Sequence, residues 1–106
     1  MKLIDFAKEL KSETGLPLAY YEFKPGQQPE LPYLVYLVKG NDPTFADNKN
    51  YADFQEIDVE LYTDKKDLAS EELITGFFDA HEIPFVTYES WIESEKMFEV
   101  LYQITI

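Results

Sequence analysis

Cysteine is absent from this 106-residue sequence. Disulfides, thiol nucleophiles and thiolate zinc sites are therefore excluded. The lack of thiols also fits an intracellular protein. Arginine is absent too: all nine basic residues are lysines, against 21 Asp and Glu. The side chain best suited to grip phosphate in a bidentate fork is thus missing. A formal net charge of −12 also repels a phosphate backbone. Sequence-specific nucleic-acid binding is not expected. Glycine is scarce, with four residues, and none of them builds a phosphate loop or a dinucleotide fingerprint. No stretch approaches the ~20 apolar residues of a membrane span. The opening MKLIDFAKELKSE is too charged for the apolar core of a signal peptide. No membrane partner is expected.

Aromatic residues are plentiful, at 16% of the chain, and the hydrophobic fraction is 45%. Both argue for a folded protein rather than a disordered one. The length supports one domain, residues 1–106, with a modest core.

Apolar periodicity gives the elements. Leu3, Phe6, Ala7 and Leu10 share a helical face over residues 3–14. Gly15 suits the left-handed position after that helix, and Pro17 follows. Leu16 is placed to pack back on the last turn. Residues 18–23, LAYYEF, read as a short aromatic strand. Pro25-Gly26 marks a turn. YLVYLVK, 33–39, is nearly continuous in its apolarity and predicts a central strand covered on both faces; Pro32 stands just before it. In FQEIDVELYT, 54–63, Ile57, Val59 and Leu61 alternate with Glu56, Asp58 and Glu60, as in a half-buried strand.

A second helix is expected over 65–82. Asp64 or Asp67 serves as its cap, and Leu73, Ile74, Phe77 and Phe78 form its stripe, which Ala69 or His81 extends. Gly76 is expected to permit close packing on the sheet, and Pro84 ends the helix. Residues 85–94 and 96–106 read as a hairpin turning near Ser94-Glu95. Phe98, Val100, Tyr102, Ile104 and Ile106 share one face of its second strand. The order is α-β-β-β-α-β-β, an α+β fold with a mostly antiparallel sheet and two helices packed on it. One sheet face is left partly open as a possible interface.

Residues 40–53, GNDPTFADNKNYAD, form a long polar connection between two strands. Hairpin loops usually need about two to five residues, and longer ones tend to be functional or disordered.

Residues able to carry chemistry are few. His81, the single histidine, reads as a helix-end residue whose charge would suit the dipole. Glu56, Asp58 and Glu60 stand roughly 6.5–7 Å apart on one strand face, the pattern of a solvated face rather than a metal site. Asp42, Asp47 and Asp53 lack the spacing of a calcium loop, and Lys49 sits among them. Tyr88 and Trp91 fall on opposite parities of their strand, so one is expected in the core and the other exposed as an interface anchor. No catalytic residue, cofactor or metal is expected, and the chain is not read as an enzyme.

The stretch VELYTDKKDLASEELITGFFDAHEIPFVTYESWIESEKMFEVLYQITI, residues 59–106, carries a resemblance. Its parts are an acidic strand into V-E-L-Y-T, a D-K-K-D-x-x-x-E helix start, I-P-F, and the hairpin Y-E-S-W-I-E-S-E-K-M-F-E-V-x-Y. It resembles small proteins of the head-to-tail region of long-tailed phages and prophages of Gram-positive bacteria. These are the tail-completion (tail-terminator) proteins and neighbouring head–tail connectors. The resemblance covers residues 33–106 and, loosely, the N-terminal helix.

It implies a structural virion protein whose copies assemble into a ring, commonly a hexamer, at the head-proximal end of the tail tube. Such a ring stops tube growth, meets the head connector and lets DNA pass. The implied partners are copies of the chain, the tail-tube protein and the head-connector protein. The implied location is the virion, and the host cytoplasm during assembly. The loop that orders on assembly in related folds corresponds to residues 40–53. The assembly residues expected on this basis are Asp42, Phe45, Asp47, Lys49, Tyr51, Glu56, Asp58 and Glu60.

An acidic chain suits a channel along which DNA must slide. A long polar loop suits ordering on contact, and exposed sheet edges suit subunit pairing. A reading from a different class is an acidic inhibitor or DNA mimic that occupies a basic partner, motivated by the same charge. A small enzyme or metal-binding domain is a third, set back by the missing chemistry.

Overall fold

Alternating apolar residues in the strands and a helical stripe in each helix close on one another from the two sides of a single core. In a computed structural model of the chain, residues 1–41 and 54–106 are described. The elements are α1 (Leu3–Thr14), β1 (Leu18–Tyr20), β2 (Tyr33–Asn41), β3 (Gln55–Thr63), α2 (Leu68–Ala80), β4 (Val86–Ile92) and β5 (Met97–Thr105). This is the expected α+β fold. The strands form one sheet in the order β1-β2-β3-β5-β4. Among the described strands only β1 runs parallel to its neighbour; β2, β3, β5 and β4 are joined antiparallel.

Both helices lie on one face. Phe6 and Leu10 from α1 and Ile74, Phe77 and Phe78 from α2 share a buried cluster with Leu34, Ile57, Val59, Leu61, Val100, Tyr102 and Ile104. The strand residues of that cluster pair across the sheet, Leu34 with Leu61 and Leu61 with Val100. Aromatic edges knit the layers. Phe6 meets Phe77 at 5.8 Å between ring centroids, and Phe78 meets Tyr102 at 5.6 Å, separations typical of favourable edge-to-face pairs. The Tyr102 hydroxyl is buried with no hydrogen-bond partner among the described residues. That leaves a polar group out of water without compensation.

The helix ends follow their local chemistry. Gly15 takes φ 71°, and its N–H donates to the Lys11 carbonyl, closing α1 with a left-handed residue. The Thr14 hydroxyl donates to the Leu10 carbonyl at 2.7 Å and satisfies another late carbonyl. Asp67 is the cap of α2. Its carboxylate accepts from the Ser70 N–H at 3.1 Å and from the Ser70 hydroxyl at 2.8 Å. These bonds hold its pKa below the ordinary aspartate value. Glu71 in the first turn adds favourable charge at the positive end of the helix.

Several expectations need correction. The strand over 18–23 stops at Tyr20, because Tyr21 takes φ 69° and the Glu22 N–H turns back to the Tyr20 carbonyl at 2.8 Å. That is a tight three-residue turn. The second helix is shorter than 65–82, and it ends at Ala80, before Glu82 adopts φ 55°. Leu73 and Ala69 face outward, so Ile74, Phe77 and Phe78 alone carry the buried apolar stripe of α2. Gly76 is exposed, and a Cβ there would meet nothing within 4 Å, so it serves no close approach. Neither Tyr88 nor Trp91 reaches the core; they are 57% and 48% exposed. Both stand on β4, the edge strand, and although Trp91 pairs with Phe98 on the helix side, it stays open to solvent.

Leu61 is fully buried at the centre of the cluster. Leu61→Ala is expected to lower unfolding free energy by about 2–5 kcal/mol in urea titrations, through lost burial and a residual cavity. Tyr102→Phe removes the unpartnered hydroxyl and keeps the ring. It is expected to leave stability unchanged or raise it by about 1 kcal/mol in the same titrations.

Candidate functional site

The face of the sheet turned away from the helices carries most of the polar side chains singled out in the sequence. Strand parity puts Glu56, Asp58, Glu60 and Tyr62 of β3 there. The register sets Leu37, Val35 and Tyr33 of β2 on one side of that row, and Gln103, Leu101 and Glu99 of β5 on the other. Tyr88 and Ser90 of β4 continue the face beyond Leu101 and Glu99.

The three carboxylates of β3 do not share one environment. Glu56 is exposed, as a solvated face requires. Asp58 is buried, with 6% of its surface accessible, which overturns the reading of all three as solvated. Its burial is accompanied by a counter-ion. The pairing of β2 with β3 slips between Val38 and Gly40, and at this bulge the Lys39 ammonium reaches within 3.7 Å of the Asp58 carboxylate. A buried carboxylate needs such a partner. Glu60 is half-buried, and its pKa is raised above the ordinary glutamate value, chiefly by burial; the charges of Glu99 and Asp58 push the same way, while a hydrogen bond from Tyr62 and the charge of Lys39 oppose them.

Tyr62 lies between two acids. Its hydroxyl oxygen is 2.7 Å from Glu60 Oε1 and 3.1 Å from Glu99 Oε2. Burial first, then the bond to Glu60, raise the Tyr62 pKa far above the ordinary tyrosine value. The Tyr33 ring packs at a tilt against Tyr62, 5.5 Å between centroids, and edge-to-face against Phe23 at 5.2 Å. Phe23, from the segment between β1 and β2, therefore roofs one end of this face.

Sequence reasoning missed Glu99 and Tyr62 as members of the group. Their strand parity was readable, but the β3–β5 register that sets Tyr62 opposite Glu99 was not. Asp42, Phe45, Asp47, Lys49 and Tyr51, also expected at an assembly surface, lie outside the described residues.

A second polar cluster joins α2 to the hairpin. Lys66 donates to Glu71 at 2.9 Å and to Glu89, and its ammonium sits 5.7 Å from the centre of the Phe98 ring. These bonds raise the Lys66 pKa above the ordinary value. His81 joins the two helices: its Nε2 lies 2.8 Å from Glu13 Oε2, and its ring packs on Phe77 at 4.4 Å. At the hairpin, Trp91 Nε1 donates to Glu93 at 2.6 Å, and Lys96 pairs with the same carboxylate.

A depression of about 740 Å³ at one end of the sheet is lined by Lys39, Phe54, Glu56, Asp58, Phe85 and Gln103 among others. Among the described residues no histidine, cysteine or serine lines it. Among the described residues no three His, Cys, Asp or Glu side chains converge as a metal site. No described helix is long and apolar enough to cross a membrane. The chain matches no family model, no curated protein and no solved structure.

Because the folded-state pKa of Glu60 is raised, native protein holds that proton more tightly than unfolded protein does. The group costs nothing below its unfolded pKa and destabilises the fold fully above its folded pKa. Glu60→Gln is therefore expected to gain stability relative to the parent as pH rises through that window. Thermal melts at a series of pH values read this as a widening gap in Tm.

Proposed function

We propose that this chain is a structural subunit of a phage particle. It closes the head-proximal end of the tail tube or joins tail to head, and it works as a ring of identical copies. The observation that carries the reading is the resemblance of residues 59–106 to tail-completion and head–tail connector proteins, described above. The surface is compatible with it. Strand β4 has no neighbour on its outer side among the described residues. It exposes Val86, Tyr88 and Trp91, and aromatic side chains of this kind anchor protein contacts. Free strand edges accept a neighbouring chain. A contact between unlike edges of successive copies is head-to-tail, and it closes into a ring when the rotation allows. The charge of −12 suits a passage from which DNA must slide freely. In this reading the partners are further copies, the tail-tube protein and the head-connector protein. The protein resides in the virion, and in the host cytoplasm during assembly. It has no enzymatic role and no cofactor.

The second reading, an acidic inhibitor or DNA mimic, draws on the carboxylates of the uncovered face. Mimicry needs a spaced array at the surface, and the burial of Asp58 removes the middle member of the β3 row.

Light scattering over a wide concentration range, at two salt concentrations, tests the assembly reading. A discrete closed oligomer is expected, and Trp91→Glu in β4 is expected to shift it toward monomer while the circular dichroism spectrum is kept. A protein that stays monomeric throughout and also fails to bind purified tail-tube protein overturns the reading.

A further inference from the structure

The contacts around Tyr62 do not balance in protons. A phenol has one O–H and donates to one acceptor at a time. Glu60 Oε1 at 2.7 Å and Glu99 Oε2 at 3.1 Å both stand within hydrogen-bond distance of the same oxygen. With both acids ionised, Tyr62 serves only one of them, and the other faces an oxygen lone pair. One added proton resolves the conflict. It makes one acid a donor to the phenol oxygen and frees the phenol proton for the other acid.

We propose that Glu60, Tyr62 and Glu99 form a proton-operated latch between β3 and β5, in which protonation of Glu60 turns the Tyr62 hydroxyl from Glu60 to Glu99. The ionised form has Tyr62 donating to Glu60, along one strand. There Glu99 is left with the Ser90 hydroxyl of β4, 3.3 Å from its other oxygen. In the protonated form Glu60 takes a proton from solvent and keeps it, and its carboxyl O–H donates a hydrogen bond to the Tyr62 oxygen. The Tyr62 hydroxyl then donates to Glu99. The hydrogen-bond chain now crosses from β3 to β5.

Burial selects Glu60 as the acid that takes the proton, since desolvation is the largest influence on it. The surroundings add to this. On β3, Asp58 repels a charge on Glu60; from β2, Lys39 attracts it and is already engaged with Asp58. Tyr33 of β2 presents an aromatic ring to Tyr62, and the charge of Glu95, in the β4–β5 turn, acts on Tyr33. Ser90 is the group contributed from β4. The helices lie on the other face. The latch stands on its own geometry and does not depend on the assembly reading.

Carbon-detected NMR of the side-chain carboxyls, titrated on the full chain, tests it. The Glu60 midpoint is expected above the range of free glutamate side chains. Glu99→Gln removes a like charge and lowers that midpoint. Tyr62→Phe removes the donor to the ionised form, a charge-assisted bond, and raises it. Opposite shifts in the two variants show that Glu60 is coupled to both groups, and a step in the Tyr62 ring-carbon resonance at the same midpoint is the signature of the latch. A midpoint that neither variant moves, or that both move in one direction, overturns it. If either variant fails to fold, the wild-type Tyr62 ring carbon bearing the hydroxyl gives the answer. Its resonance steps at the Glu60 midpoint if the hydroxyl turns, and a flat response through that pH overturns the proposal.

Discussion

Ile57, Val59 and Leu61 on β3 are the side chains on which the two layers close. They project to the helix side of a strand that has β2 on one flank and β5 on the other, and all three are buried. A slip of one residue in the pairing of β3 would send all three to the opposite face and bring Asp58 and Glu60 into the apolar core. Burying unpaired carboxylates there would cost far more than the fold can absorb. The alternation therefore fixes β3, and β3 fixes the partners of β2 and β5. The helices then have one available face to cover.

The uncovered face inherits its character from that same constraint. Every apolar residue that β3 commits to the core places an acidic or aromatic neighbour on the other side. The outcome is a row of acids in graded environments rather than a uniform charged surface. Glu56 is solvated, Asp58 is buried against Lys39, and Glu60 is half-buried and shares Tyr62 with Glu99. The grading arises because neighbours, not the strand itself, decide how much water each carboxylate keeps. The bulge at β2 supplies a cation to one acid, and β5 supplies a like charge to another. One surface thus holds a carboxylate paired with a cation and one that faces a like charge within a few residues of each other.

Local signals were most legible where they rest on one residue's own chemistry. Gly15 after α1, the Pro25-Gly26 turn, Asp67 as one of two candidate caps and the shared face of Phe98, Val100, Tyr102, Ile104 and Ile106 all follow from rules that act within a turn or along a strand. The misreadings have one common form. Leu73 and Gly76 were assigned to packing, and one of Tyr88 and Trp91 to the core, because of their type or period, yet all four are exposed. Periodicity shows which residues share a face; it does not show how far the covering element extends.

The sequence by itself determined the element types, their order, the α+β class and the acidic character, because propensity, caps and alternation act over a few residues at a time. It also placed Glu56, Asp58 and Glu60 on one face. Tertiary structure decided the strand order β1-β2-β3-β5-β4, the parallel docking of β1, the exposure of β4 and the meeting of Glu60, Tyr62 and Glu99. Those features depend on pairing between strands far apart in the chain. Register across such a pair is set by the closing of the whole core rather than by either strand alone.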